Sequence, residues 1–452
     1  MGLQDAIQAY HDLLTPELAL ESQEQLDAQL RRQGLFFGSR PLCTVLRPRF
    51  LTYPQYRYLQ TTIRPLLSAF DKSFRAAIED PDIRTQFGLF PWEESLLEVD
   101  PGYPYPTPVS RLDAFYLTGN DTLCFTEYNA EVPAASAYND VLSEVFYGLP
   151  ITREFLHTYE IRSLPTRYRV MHALLDAFRH WGGRRATPRL AILDWDDVPT
   201  YSEFRLFTEY FRSQGLECVI CTPQEMEYRN GVLYAGDFHV NLIYKRILIT
   251  ELVEQGGLDH PVVRAVREGS VCMVNPFRCK LLYKKASLAV LSDERNAQLF
   301  SDDERQAIRA HIPWTRTVAE RYTTVGDDEK KVDLIPFILE NKDRMVLKPN
   351  DDYGGHGIVL GWLVDGSAWE AAVQKALQSP HVVQEKVTIP TEPYPSVVNG
   401  QLRIFDRMLD TAPFIFYGEY VDGCLTRLGT DPLLNVTAGG GSSVPTFVVA
   451  RR

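Results

Sequence analysis

Arg111, Asp113, Glu127 and Asn129 are the residues of this chain from which chemistry is most readily built. They lie in Arg111-Leu-Asp-Ala-Phe-Tyr-Leu-Thr-Gly-Asn-Asp-Thr-Leu-Cys-Phe-Thr-Glu127-Tyr-Asn129. Two apolar-rich runs flank Thr118-Gly119-Asn120-Asp121, which reads as a β-hairpin. On a strand, residues two apart share a face, so Arg111 lies with Asp113 and Glu127 with Asn129. A hairpin centred on Asn120 sets Asp113 opposite Glu127 and Arg111 opposite Asn129. Two carboxylates that close repel unless a cation lies between them. An oxygen-only Asp/Glu/Asn set suits Mg²⁺, and an arginine beside it suits a phosphoryl group. The ordinary alternative is a solvated face with cross-strand ion pairs.

A second constellation lies far downstream. Lys348 closes the apolar run Met345-Val-Leu and precedes a polar, glycine-rich turn, Pro-Asn-Asp-Asp-Tyr353-Gly354-Gly355-His-Gly357. Such glycines let backbone amides converge on an anion, although a flexible hairpin tip has the same composition. The order differs from a P-loop, where the lysine follows the glycines and opens a helix. Val382-Val-Gln384-Glu385 reads as a short strand with a polar centre, suited to the amino group of an adenine or to a plain sheet edge. Lys280, Lys284 and Lys285 mark a basic start to another helix.

The elements that must position these groups read as follows. Residues 1–90 are mainly helical, with a long helix through Tyr56–Ile78 and one strand within Pro41–Phe50. Small residues after the hairpin lead into a helix through Phe146, and Tyr168–Trp181 forms another, ended by Gly182-Gly183. Residues 189–275 alternate strand, helix and strand, which implies a small parallel sheet. Its helix Tyr201–Gln214 is expected to start at Thr200, with Glu203 completing a capping box. Backbone amides and the positive helix end there favour a substrate carboxylate. Of the cations ending the strand Tyr244-Lys245-Arg246, Arg246 is the candidate for substrate and Lys245 for a surface ion pair. Tyr228-Arg-Asn-Gly-Val-Leu-Tyr is a hairpin with an Asn-Gly turn. Further strands are expected around Leu402–Leu409 and Phe414–Tyr420, followed by Asn435-Val-Thr-Ala-Gly-Gly-Gly.

Composition sets outer limits. A chain of 452 residues is too long for one core, and its 45% hydrophobic and 12% aromatic content is that of a globular protein. A net charge of −12 argues against nucleic acid or an anionic membrane as main partner, but not against ATP. No run is apolar enough to span a bilayer, no secretory signal is expected, and seven scattered cysteines fit a reducing cytoplasm. Cys218-Val-Ile-Cys221 lies in a strand-like run, so its thiols face opposite ways and neither metal nor redox chemistry is expected.

Lys348 with its glycine loop, followed by Gln384-Glu385, resembles an ATP-grasp nucleotide site. Arg111-x-Asp113 and Glu127-x-Asn129 come before these elements, whereas ordinary ATP-grasp enzymes carry the acid-x-Asn pair after them. That inverted order resembles the circularly permuted ATP-grasp family, which includes the synthetase half of glutathionylspermidine synthetase, from about residue 95 onward. The resemblance implies an α/β (α+β) ATP-grasp fold, circularly permuted, with a pre-ATP-grasp-like parallel unit and N-terminal helices. Its divisions fall at 1–90, 91–185 (metal-binding part), 186–275 (substrate unit) and 276–452 (nucleotide-binding part). It implies ATP and Mg²⁺ as cofactors, with Asp113, Glu127 and Asn129 on the metal and Arg111 on the transferring phosphoryl group. Lys348 and one of Lys280, Lys284 and Lys285, with Lys280 and Lys284 preferred, would hold phosphates. The loop Tyr353–Gly357 would close over them, and Gln384 and Glu385 would meet adenine. Arg427 would stand near the γ-phosphate or an acyl phosphate.

The implied activity is ATP-dependent carboxylate–amine ligation through an acyl phosphate, on small-molecule or peptide acids and amines. No nucleic acid or membrane is expected, and monomer and homodimer stay open. Two rival readings are an ATP-binding scaffold without catalysis and a small-molecule kinase on the same fold. The uncompensated carboxylate pair expected at Asp113 and Glu127 argues against the scaffold.

Overall fold

The structure is a computed structural model that describes residues 2–182, 186–326, 328–352, 354–433 and 441–452. The strands Val109–Leu117 and Thr122–Asn129 form the expected hairpin, and Asp121 closes its turn at φ 56. The Tyr116 hydroxyl donates to Asp121 Oδ1 at 2.7 Å and ties the turn to its strand. At the base the register is the expected one, with Arg111 opposite Asn129 and Asp113 opposite Glu127. At the tip the register is shifted by one, pairing Leu117 with Thr122, and the change falls between Asp113 and Ala114. Thr126 is the extra residue of this β-bulge, and bulges of this kind re-aim the side chains beside them.

The hairpin is one side of a nine-stranded sheet, in which Ala412–Phe416 pairs with Val109–Leu117. Ser442–Arg451 joins the same sheet and pairs in parallel with Arg49–Thr52, Thr446 facing Arg49. Residues 1–90 are therefore knitted into the sheet that carries the hairpin. The helix Tyr53–Glu79 starts at a Thr52/Gln55 capping box and buries Leu59, Ile63, Leu66 and Phe70. Those positions recur at helical spacing and share a core with Leu112, Tyr116, Phe125 and Tyr128 of the hairpin. Each such side chain contributes roughly 1.5–3 kcal/mol on burial, which fixes the back of the hairpin. The region expected as one strand, Phe414–Tyr420, is broken by a turn at Tyr417 (φ 59) and Gly418 (φ 69), and Tyr420–Gly429 is the next strand. Gly418 supplies the left-handed backbone that this turn requires.

Residues 189–274 form the expected parallel sheet, in the order Cys272–Val274, Leu242–Lys245, Arg189–Leu193 and Glu217–Cys221. Asn230 (φ 54) and Gly231 (φ 76) make the tight turn of the Asn-Gly hairpin. Cys218 and Cys221 are free thiols that fall in two different cores, on opposite faces of their strand. Asn275 fastens this unit to the base of the hairpin. Its Nδ2 donates to Val109 O at 2.7 Å, Ala130 O at 2.9 Å and Glu131 O at 3.0 Å.

Met345–Pro349, with Lys348 on it, pairs antiparallel with His381–Glu385, so that Val346 faces Gln384 and Lys348 faces Val382. Trp369 and Val373 of the helix Gly366–Gln378 pack behind both strands, against Met345, Leu347 and Val383. Among the described residues, no helix is long and apolar enough to cross a membrane.

Candidate active site

The hairpin and the lysine strand meet in one cavity of about 270 Å³. Lys348 Nζ donates to Thr126 O at 3.2 Å, inside the hairpin bulge, and to Gln384 Oε1 at 2.7 Å. Burial pushes the Lys348 ammonium down to about 8; Lys285 adds to this, while Glu127 and Asp113 oppose it. A lysine held so low is an ammonium lacking a full counter-charge, beside which an anion gains more than it would in water.

Arg111 forks onto Asp113, Nε to Oδ1 at 2.7 Å and Nη2 to Oδ2 at 3.0 Å. From the far side Arg427 Nη2 reaches Asp113 Oδ2 at 2.6 Å. Burial works against the charge on Asp113, but the two guanidiniums outweigh it and hold the carboxyl at about 2. Arg427 is itself held by Asp410, through its backbone N and Nε at 2.6 Å each. Lys285 Nζ donates to Asp352 O at 2.5 Å and lies 3.3 Å from Glu127 Oε1. Asp113, Glu127 and Asp410 thus face Arg111, Arg427, Lys285 and Lys348, one positive charge in excess. Such a balance receives an anion.

The carboxylate pair is compensated by the protein's own arginines and lysine. Its closeness therefore neither requires a metal nor argues against a scaffold. The three side-chain donors to the Asp113 carboxylate belong to two guanidinium groups, so Asp113 does not fit the expected role of metal ligand as it stands. Glu127 does fit: it lines the cavity with its side chain 30% exposed, and among the described residues its ion pair is with Lys285. Asn129 shares that face of the strand but is not among the described residues that line the cavity, and its unpartnered buried atom is the Nδ2 donor, which holds no metal. Among the described residues no group of three His, Cys, Asp or Glu is arranged around a metal position.

Lys280 and Lys284 are not at the cavity. Lys280 Nζ lies 2.6 Å from Asp351, 3.4 Å from Glu131 and 3.6 Å from Glu93. Lys284 Nζ lies 2.9 Å from both Glu93 and Asp351, and Lys245 lies 3.2 Å from Glu131. Three buried lysines offset three buried carboxylates, and the network pins Asp351 at the base of the glycine loop. Lys285, on the next turn of chain, is the lysine that lines the cavity. Lys245 is a buried ion pair and not a surface one.

Gly354 and Gly355 line the cavity at φ 64 and 77. Gly357 (φ 67) lies where a Cβ would come 2.7 Å from Pro349 Cγ, so both backbone and space demand glycine. Tyr353 lies outside the described residues, as do residues 434–440 with most of the C-terminal glycine run. Gln384 is buried between Lys348 and Thr315, donating to Thr315 Oγ1 at 3.0 Å. Glu385 accepts from Arg344 at 2.5 Å. Val346, Leu360, Trp362, Val387 and Ile389 give this end apolar walls suited to a flat ring.

Thr200 lines the cavity but its side chain does not cap the helix Tyr201–Ser213. Glu203 turns elsewhere, accepting from Ala137 N at 3.1 Å and from Arg246 Nη2 at 3.1 Å. Arg246 is buried under the rings of Phe204 and Tyr244 and does not reach the cavity wall. Its charge is offset by Glu203, and through that carboxylate it buttresses the helix start at Ala137. Asp410 went unnoticed in the sequence; an acid between two apolar strands, Leu409 before it and Ala412-Pro-Phe after, was the available signal.

No family model matches the chain, and no curated protein matches it. Among solved structures, a glutathione synthetase-like effector from Globodera pallida, in its apo form, matches with a TM-score of 0.61. The match covers 96% of this chain and 98% of that one, at 14% identity. The fold is glutathione synthetase-like. This mixed α/β architecture fits the expected ATP-grasp class, and at such identity the likeness carries fold alone.

Proposed function

We propose that this protein is an ATP-dependent carboxylate–amine ligase of permuted ATP-grasp type. The observation that carries the reading is the contact of Lys348 Nζ with Thr126 O, which puts the cation of the glycine-loop strand beside Glu127 in one cavity. The hairpin precedes the lysine strand and the Gln384–Glu385 strand in the chain, which supports the permuted order.

In this reading adenine lies between the apolar walls near Gln384, and the phosphates run past Lys348 and Lys285 toward Arg111 and Arg427. A carboxylate oxygen of the acid attacks the γ-phosphorus, and the bond to ADP breaks. The amine nitrogen then attacks the acyl carbon, phosphate leaves with the bonding pair, and the amine proton passes to solvent. The chain's own task is positioning and charge neutralisation. Lys348 and Lys285 offset charge on the transferring group. Asp113 and Asp410 hold the two arginines in fixed orientation. Mg²⁺ would be held by Glu127 together with phosphate oxygens, and would supply charge neutralisation on the triphosphate. The glycine loop excludes water that would hydrolyse the acyl phosphate. Small-molecule or peptide acids and amines are the partners, in the cytoplasm.

The test is ADP release against a broad panel of acids and amines, with hydroxylamine in place of the amine to trap acyl phosphate. The ligase reading expects acid-dependent hydroxamate, lost in Glu127→Gln with the fold intact. Tight ATP binding without ADP release would favour a scaffold, a reading supported by the closure of Asp113 between two arginines. ADP release with a stable phosphorylated product and no hydroxamate would mark a kinase.

A further inference from the structure

The cavity has a second end, beyond Arg427 and away from the adenine walls. It is lined by Phe37, Leu42, Tyr138, Thr200, Leu425 and Ser443. Five separate parts of the chain meet there. The short hairpin Phe36–Phe37/Arg40–Pro41 is held against the parallel unit by Gly38 N donating to Pro199 O at 2.9 Å. The C-terminal strand fastens the same segment, with Ser443 N donating to Leu42 O at 2.8 Å and Thr44 N to Ser442 Oγ at 3.0 Å. The helix Ser136–Gly148 contributes Tyr138, whose hydroxyl is already spent on Phe36 O at 2.8 Å. Leu425 and Arg427 come from one strand, and Arg427 pairs directly with Ser443. The wall therefore begins at the guanidinium and runs away from it over apolar side chains.

None of these six residues is charged. All the charged residues among the described lining groups sit at the reacting centre, the loop or the adenine end. A second carboxylate or an ammonium placed against this wall would lose water with no opposite charge to pair it among the described lining residues, which costs several kcal/mol. An apolar ring or chain there would gain roughly 25 cal/mol for each Å² it removes from water.

Resting on the ligase reading, we propose that this end holds the body of the acid substrate, and that the acid is an uncharged-bodied, aromatic or aliphatic monocarboxylate. Its reacting carboxylate lies by Arg111 and Arg427; its body lies against Phe37, Tyr138 and Leu425. Polycarboxylates and γ-glutamyl peptides are excluded as acids by the same wall. It also gives the N-terminal segment a role, as the far wall of the substrate site.

The experiment is hydroxamate formation by the full chain with ATP, Mg²⁺ and hydroxylamine, comparing 3-phenylpropionate and hexanoate with glutarate and glutathione. In parallel, binding of 3-phenylpropionate in the presence of ADP is measured by calorimetry. The expected result is kcat/KM about tenfold or more higher for the apolar acids. Phe37→Lys, at a partly exposed position, should move that preference toward glutarate by about tenfold while leaving the thermal midpoint in place. Preference for glutarate or glutathione in the wild type overturns this inference and leaves the ligase reading standing. No hydroxamate, but 3-phenylpropionate binding that Phe37→Lys weakens, sustains the substrate class and removes the ligase. Neither hydroxamate nor binding removes both.

Discussion

Lys348→Met separates a functional cation from a structural one. An ammonium held near 8 instead of its ordinary 10.5 costs the fold about 3 kcal/mol when charged. Because Lys348 is only partly buried, solvent screening reduces this to roughly 2 kcal/mol. Methionine removes that cost but leaves Gln384 Oε1 without its donor at 2.7 Å, which costs about 1 kcal/mol. The variant should therefore be as stable as the wild type or more so by about 1 kcal/mol. Nucleotide binding moves the other way. A charge-assisted hydrogen bond to phosphate is worth about 1.5–3 kcal/mol, so ADP should bind roughly ten- to hundred-fold more weakly. Urea unfolding and calorimetric titration with ADP read the two quantities on the same preparation. A variant that loses more than about 2 kcal/mol of stability and keeps its ADP affinity would make Lys348 a tie between two strands and not a phosphate ligand.

The same lysine sets a pH dependence. Its pKa in the fold lies below that of the unfolded chain, so its destabilising effect is full below about pH 8 and is relieved as pH rises toward 10.5. Binding needs the charged form, so ADP affinity measured by calorimetry should fall as pH rises through about 8, and this fall should be absent in Lys348→Met. Lys284→Met should cost about 3–5 kcal/mol in urea unfolding because Glu93 and Asp351 lose a buried counter-charge. Lys285→Met should stay within about 1 kcal/mol of wild type while weakening ADP about tenfold. Gly357→Ala should lose about 1–2 kcal/mol from its φ of 67, and contact with Pro349 should raise KM for ATP; an unchanged KM would mean that the loop does not act on the nucleotide.

Much of the hairpin was legible because alternation, turn chemistry and a two-residue spacing all act locally. Even so, the pairing of Asp113 with Glu127 depends on a bulge at Thr126, which no residue type announces. The parallel sheet from Arg189 to Val274 was legible for the same local reasons. Lys280, Lys284 and Lys285 show where local reading stops. Three lysines within one turn and a half look alike in sequence, and only Glu93, Glu131 and Asp351, brought from three distant segments, decide which of them are consumed. Glu203 is a similar case: its spacing from Thr200 suits a capping box, but Arg246 and Ala137 N offer a buried partner that a local cap cannot match. Asp410 escaped notice because its meaning lies in Arg427 and, through it, in Asp113. The role of the first ninety residues was hidden too, since it depends on strand Arg49–Thr52 pairing with the C-terminal strand.

On the ligase reading one nucleotide touches both the hairpin and the lysine strand. A structure of the full chain with Mg²⁺ and a non-hydrolysable ATP analogue tests it most directly. The triphosphate should lie within hydrogen-bond distance of Lys348 and Lys285, with the metal on Glu127 and the base between Val346 and Ile389. A nucleotide bound elsewhere, or one that touches Lys348 while Glu127 stays paired to Lys285 alone, would contradict it.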